Sequence, residues 1–148
     1  MTSIVSQVEV EGAQADVYSY VTDPTRFTEW QEKVVAGHLE GGEHPSLGSK
    51  CSTTRKIGGS ERKVTSELTE LDPPNHWAVH GIDGPIRALV KVTVDALADS
   101  RRSRVTIDLE FEGHGIGKVL VPLLVRPQAR KEMQRNMARL KQRLEAMA

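Results

Sequence analysis

The feature that most constrains the fold of this chain lies at its C-terminal end. From Ala129 onward, apolar residues recur as Ala129, Met133, Met137, Leu140, Leu144 and Met147, at spacings of 4, 4, 3, 4 and 3. This is one stripe of an α-helix. Arg130, Lys131, Arg135, Arg139, Lys141 and Arg143 occupy the rest of its surface. An isolated helix of this length is marginal in water, so its stripe requires a large apolar receiver. The preceding residues have the pattern of one: a curved antiparallel sheet.

The chain has 148 residues, the size of a single domain spanning 1–148. Its 20 basic and 20 acidic residues cancel, so no overall field favours nucleic acid, and only the C-terminal helix is locally basic. Cys51 is the single cysteine and cannot form an internal disulfide. The first ten residues carry neither a basic nor an apolar leader segment, and the cytoplasm is the expected compartment. The apolar run Val119 to Val125 is interrupted by Pro122 and falls far short of the ~20 residues of a membrane-spanning helix.

Val8 and Val10 alternate with Gln7, Glu9 and Glu11 as a first strand. Val17, Tyr20 and Val21 predict a short helix from about Ala15 to Thr22. Asp23-Pro24 is a helix-start signal, and a second short helix carries Phe27 and Trp30. Strands follow at Val35 to Leu39, Ser49 to Ile57, Glu61 to Leu71, His76 to Ile82, Ala88 to Asp95 and Val105 to Glu112. The loop Glu40 to Leu47, the Gly58-Gly59 turn, Asp72-Pro73-Pro74-Asn75 and Asp83-Gly84-Pro85 separate them. Gly113, Gly115 and Gly117 free the backbone before the long helix, which is expected to kink near Pro122 and Pro127. A sheet with one apolar face and one amphipathic helix must close on each other, with room for a pocket between them.

Several stretches carry a family resemblance: Val17-Tyr18-Ser19-Tyr20-Val21-Thr22-Asp23-Pro24 leading to Phe27-Thr28-Glu29-Trp30, Leu47-Gly48-Ser49, Leu68-Thr69-Glu70-Leu71-Asp72-Pro73-Pro74, and Leu140-Lys141-Gln142-Arg143-Leu144-Glu145. In their order and spacing the chain resembles the polyketide cyclase/dehydrase-like branch of the START and birch-pollen-allergen superfamily. The resemblance implies an α+β helix-grip fold: about seven curved antiparallel strands around a long C-terminal helix, with two short helices after strand one. It also implies a small hydrophobic molecule, lipid- or polyketide-like, as partner. The alternatives are a cyclase or dehydratase using inward polar residues, and a regulatory protein acting through the basic helix. No cofactor is expected, a homodimer stays open, and no catalytic residue is shared across the superfamily.

The alternation that turns Cys51 and Ile57 inward also turns Arg55 inward. A buried guanidinium needs a carboxylate or a polar ligand group, unless Arg55 snorkels to water from the strand end. In a cyclase, Arg55 would polarise a ketone and His80 would take a proton, with Thr53 and Ser66 adding hydrogen bonds. His80, however, falls opposite Trp77 and Val79 in its strand. Phe27, Trp30 and Trp77, with Met133 and Met137 from the helix, either line an apolar pocket or fill the core. His76 and His80 lie about 13 Å apart on a strand, too far to share a metal ion, and none is expected. Gly113-His114-Gly115-Ile116-Gly117-Lys118 lacks the leading Gly and the Ser or Thr of a phosphate-binding loop and reads as a flexible segment.

Overall fold

The structure, a computed structural model, describes residues 3–42, 44–57 and 59–148, with Ile57 described in its backbone alone. Gly58 of the expected Gly58-Gly59 turn, the inward facing expected of Ile57, and Glu43 in the Glu40 to Leu47 loop lie outside the described residues.

The strands are β1 (Ile4–Glu11), β2 (Val34–Leu39), β3 (Lys50–Ile57), β4 (Ser60–Asp72), β5 (His76–Gly81), β6 (Ile86–Ala96) and β7 (Arg102–Gly113). They form one antiparallel sheet in the order β1-β7-β6-β5-β4-β3-β2. From β2 to β7 each strand pairs with its successor, and β1 joins β7, so the sheet curls into a half-barrel. Directly paired residues share a face. Val94 therefore lies beside Val105, and Val92 beside both Ile107 and Trp77, all on the concave side.

Between β1 and β2 the chain forms α1 (Gln14–Val21), a 3₁₀ turn (Pro24–Arg26) and α2 (Phe27–Trp30). The Asp23 carboxylate accepts hydrogen bonds from the Thr25 amide at 3.0 Å and the Thr25 hydroxyl at 2.7 Å, capping the 3₁₀ turn. Gly37 on β2 lets that turn lie against the sheet, because a Cβ there would collide with the Pro24 carbonyl oxygen.

The C-terminal helix is 31 residues long and has three stretches: α3 (Gly117–Leu120), a π-helical turn (Val121–Val125) and α4 (Arg126–Met147). Pro122 has no N–H to donate and its ring crowds the preceding turn, and the widened π turn is where the helix absorbs it. Pro127 sits in the first turn of α4. Ala129, Met133, Met137, Leu140 and Leu144 are buried as the stripe demands, whereas Met147 at its end is 53% exposed.

Asn136, absent from the apolar pattern, is buried too, because its side-chain oxygen accepts from the Glu32 amide at 2.9 Å. The helix also seals an edge of the sheet. Lys141 donates to the Glu9 carbonyl at 2.7 Å, and Glu145 accepts from the Glu11 amide at 3.2 Å. Both backbone groups belong to β1, an edge strand whose outer side would otherwise be open to pairing.

The glycine run before the helix is a point of close contact rather than a flexible hinge. A Cβ on Gly117 would collide with the Pro85 carbonyl, and one on Gly113 with the Gly117 carbonyl. The His114 amide donates to Pro85 O at 2.8 Å and the Gly117 amide to His114 O at 3.0 Å. These glycines seat the start of the helix on the turn between β5 and β6.

Candidate ligand-binding site

Along the strands the concave face divides into two halves. Towards the C-terminal end of α4, the side chains of Leu68, Trp77, Val92, Val94, Val105 and Ile107 are buried. They form one apolar cluster with Met133, Met137, Leu140 and Leu144. α1 plugs the same end: Tyr18 donates its hydroxyl to His76 O at 2.9 Å, and the Gln14 amide donates to Val94 O at 2.8 Å. Burial pushes the phenols of Tyr18 and Tyr20 up to about 12, helped for Tyr20 by the Glu29 carboxylate that accepts its hydroxyl proton at 3.0 Å. Burial likewise raises the Cys51 thiol to about 11, where it is an inert packing group.

Towards the start of the helix, the same strands continue with side chains that are only half-buried. These are Thr53, Val64 and Ser66 on β3 and β4, and Val90, Leu109 and Phe111 on β6 and β7. Val90 and Leu109 pack against the core cluster on one side without being sealed on the other. The change along β6 from half-buried Val90 to buried Val92 and Val94 recurs along β7 between Leu109 and Ile107. It occurs because the buried stripe of α4 ends near Ala129, where the chain passes into the π turn.

The expected site residues separate accordingly. Arg55 points to the concave side and its guanidinium meets Glu132 of α4 at 3.3 Å, so the inward cation has the carboxylate partner that its position requires. Thr53 and Ser66 share that face. His80 does not. The β5 alternation that buries Trp77 and Val79 turns His80 to the convex side, where it lies 2.9 Å from Glu112, with His114 3.5 Å from the same oxygen. Both histidines hold the Glu112 carboxyl below the usual carboxylate range, His80 foremost. Arg55 and His80 thus lie on opposite faces of the sheet and do not form one acid–base pair.

Phe27, Trp30 and Trp77 fill the closed half. Phe27 meets Trp30 edge-on at 6.0 Å and Trp77 edge-on at 6.2 Å, all three buried. Met133 and Met137 are buried among them. Sequence reasoning singled out these bulky residues and passed over Val64, Val90, Leu109 and Phe111, whose alternation was visible but whose partial exposure depends on where the helix stops covering the sheet.

A family model described as polyketide cyclase/dehydrase and lipid transport matches residues 1–145. The chain belongs to that family. Its curled sheet and C-terminal helix match a START superfamily protein from Mycobacterium smegmatis with a TM-score of 0.76 at 14% identity, covering 99% of each chain. A Thermus thermophilus protein is equally similar, with a TM-score of 0.76, 15% identity and 99% of both chains covered. The di-domain aromatase/cyclase BexL of the BE-7585A biosynthetic pathway matches over 96% of this chain and 46% of its own, with a TM-score of 0.69 and 17% identity. No curated protein sequence matches the chain. At these identities the solved structures share a fold with this polyketide cyclase/dehydrase-family member. Among the described residues, no helix is long and apolar enough to cross a membrane.

Proposed function

We propose that this chain binds a small, largely apolar molecule against the open half of the concave sheet, under the start of the C-terminal helix. One observation carries the reading: Val90, Leu109 and Phe111 are half-buried although their strand neighbours Val92, Val94, Val105 and Ile107 are sealed. Apolar side chains left partly uncovered on the inner face of a curled sheet favour an apolar occupant. Family membership supports the same class of ligand, because the family's description includes lipid transport. Thr53, Ser66 and Arg55, which meets Glu132, lie on the same concave face on β3 and β4 and would fix the orientation of a polar group on the ligand.

Native mass spectrometry of the purified chain tests this. A co-purifying apolar molecule lost from a Leu109→Trp variant is the expected result. Wild type and variant carrying the same molecule, or neither binding any apolar probe, would contradict it.

A second reading rests on the Arg55–Glu132 pair. An inward cation able to polarise a carbonyl suits a cyclase or dehydratase, the class in which BexL is placed by name. Without His80 on that face, Glu132 is the acid–base partner within reach of Arg55. If this reading holds, Glu132→Gln abolishes turnover of a cyclisable polyketide while ligand binding is kept. Unchanged turnover removes it.

A further inference from the structure

Four large apolar side chains stand out from the first turns of the C-terminal helix: Ile116, Val119, Leu123 and Leu124, between 58% and 68% exposed. Their spacing puts them on the side of the helix away from Gly117 and Val121, which are buried against the fold. They form a convex ridge rather than a groove.

The charge around this ridge is one-sided. Between Glu112 and Glu132 the chain has no acidic residue but carries Lys118, Arg126, Arg130 and Lys131. Among the described residues, none of these four cations is in a salt bridge. The two bounding acids are engaged elsewhere, Glu112 by His80 and His114 and Glu132 by Arg55. In the adjoining turn, Asp83 accepts from the Thr65 amide. A molecule with no net charge thus concentrates uncompensated positive charge beside its exposed apolar ridge.

We propose that this ridge docks the protein on an anionic lipid surface. Apolar side chains on a convex helix surface match the acyl boundary of a bilayer, and flexible cations beside them match its headgroups. A protein partner buried on the ridge would have to desolvate several unpaired cations, whereas anionic headgroups meet them in water. The ridge adjoins the β7 side of the half-covered part of the concave sheet, because α3 and the π turn, which carry the ridge, both contact β7. Docking stands on the ridge and its charges alone and does not require that a ligand be bound inside.

The experiment is flotation of the full chain with vesicles of phosphatidylserine and phosphatidylcholine, against phosphatidylcholine alone. Wild type is expected to float with the anionic vesicles and to be released by salt. Leu123→Ser/Leu124→Ser, both at exposed positions, is expected to lower the partition at least about tenfold with an unchanged circular dichroism spectrum. Arg130→Gln and Lys131→Gln are each expected to lower it about fivefold and to weaken the preference for anionic lipid. The proposal is overturned if wild type floats with neither vesicle, or if the leucine variant floats as well as wild type. It is also overturned if wild type is a dimer that the leucine variant dissolves and neither floats, since the ridge would then belong to a second copy. Flotation by a Leu109→Trp protein that has lost its apolar ligand would keep the two proposals apart.

Discussion

Along β6 and β7 the two halves of the concave face are made of nearly the same residue types, yet one is sealed and the other is not. Val92, Val94, Val105 and Ile107 are buried in one cluster with Leu140 and Leu144, while Val90 and Leu109, the next inward positions on β6 and β7, are half-covered. What differs is the helix above them. In α4 the apolar stripe is buried from Ala129 to Leu144. In α3 and the π turn only Gly117 and Val121 are buried, Leu120 and Val125 are half-buried, and Val119, Leu123 and Leu124 are exposed. Burial is therefore concentrated in one half, and the other is left partly uncovered.

Leu140→Ala gives the largest expected effect, since the side chain is fully buried in the closed half. A loss of about 2–5 kcal/mol in urea unfolding is expected, against less than about 2 kcal/mol for Leu109→Ala in the open half. Equal losses would break the distinction between the halves. Next comes Gly117→Ala. Its methyl group would meet the Pro85 carbonyl, a backbone atom that cannot swing away, so a destabilisation of about 1–3 kcal/mol is expected. The neighbouring Gly115→Ala, which has open space around its Cβ position, would show only the strain of its φ of 60°.

Cys51 sharpens the comparison without altering the fold. Its thiol, raised to about 11 by burial, is expected to resist iodoacetamide at neutral pH in the folded protein and to react fully once unfolded. Rapid labelling of the native chain would show that the closed half opens. The smallest effect concerns the convex face. Glu112 is held below its ordinary value of 4.5 by His80 and His114, so the unfolded chain binds the proton more readily. Its contribution is present above that ordinary value and is lost as pH falls through the lowered one. Glu112→Gln is expected to flatten the acid limb of a stability-versus-pH curve slightly, leaving the ligand site unaffected.

The sheet was legible because the clearest strands alternate without interruption, as in Val90, Val92, Val94 and Val105, Ile107, Leu109. The helix stripe was equally plain. The boundary between halves was not, because it depends on how far the buried side chains of the helix reach along the sheet, and periodicity carries no such distance. The facing of His80 was implicit in the burial of Trp77 and Val79, but its contact with Glu112 joins β5 to β7 and leaves no local signal. Gly117 gave the opposite difficulty. Its composition suggested freedom, while its role is to admit Pro85, a neighbour brought in only by the fold.

The central claim is that an apolar molecule is received by the open half and not by the sealed half or the outer ridge. Methyl NMR during titration with the uncharged apolar dye Nile red tests it most directly. Saturable shifts at Val64, Val90 and Leu109, with Val94, Val105 and Leu140 unmoved, are the expected result. Shifts confined to Val119, Leu123 and Leu124, or spread evenly through both halves, would contradict it.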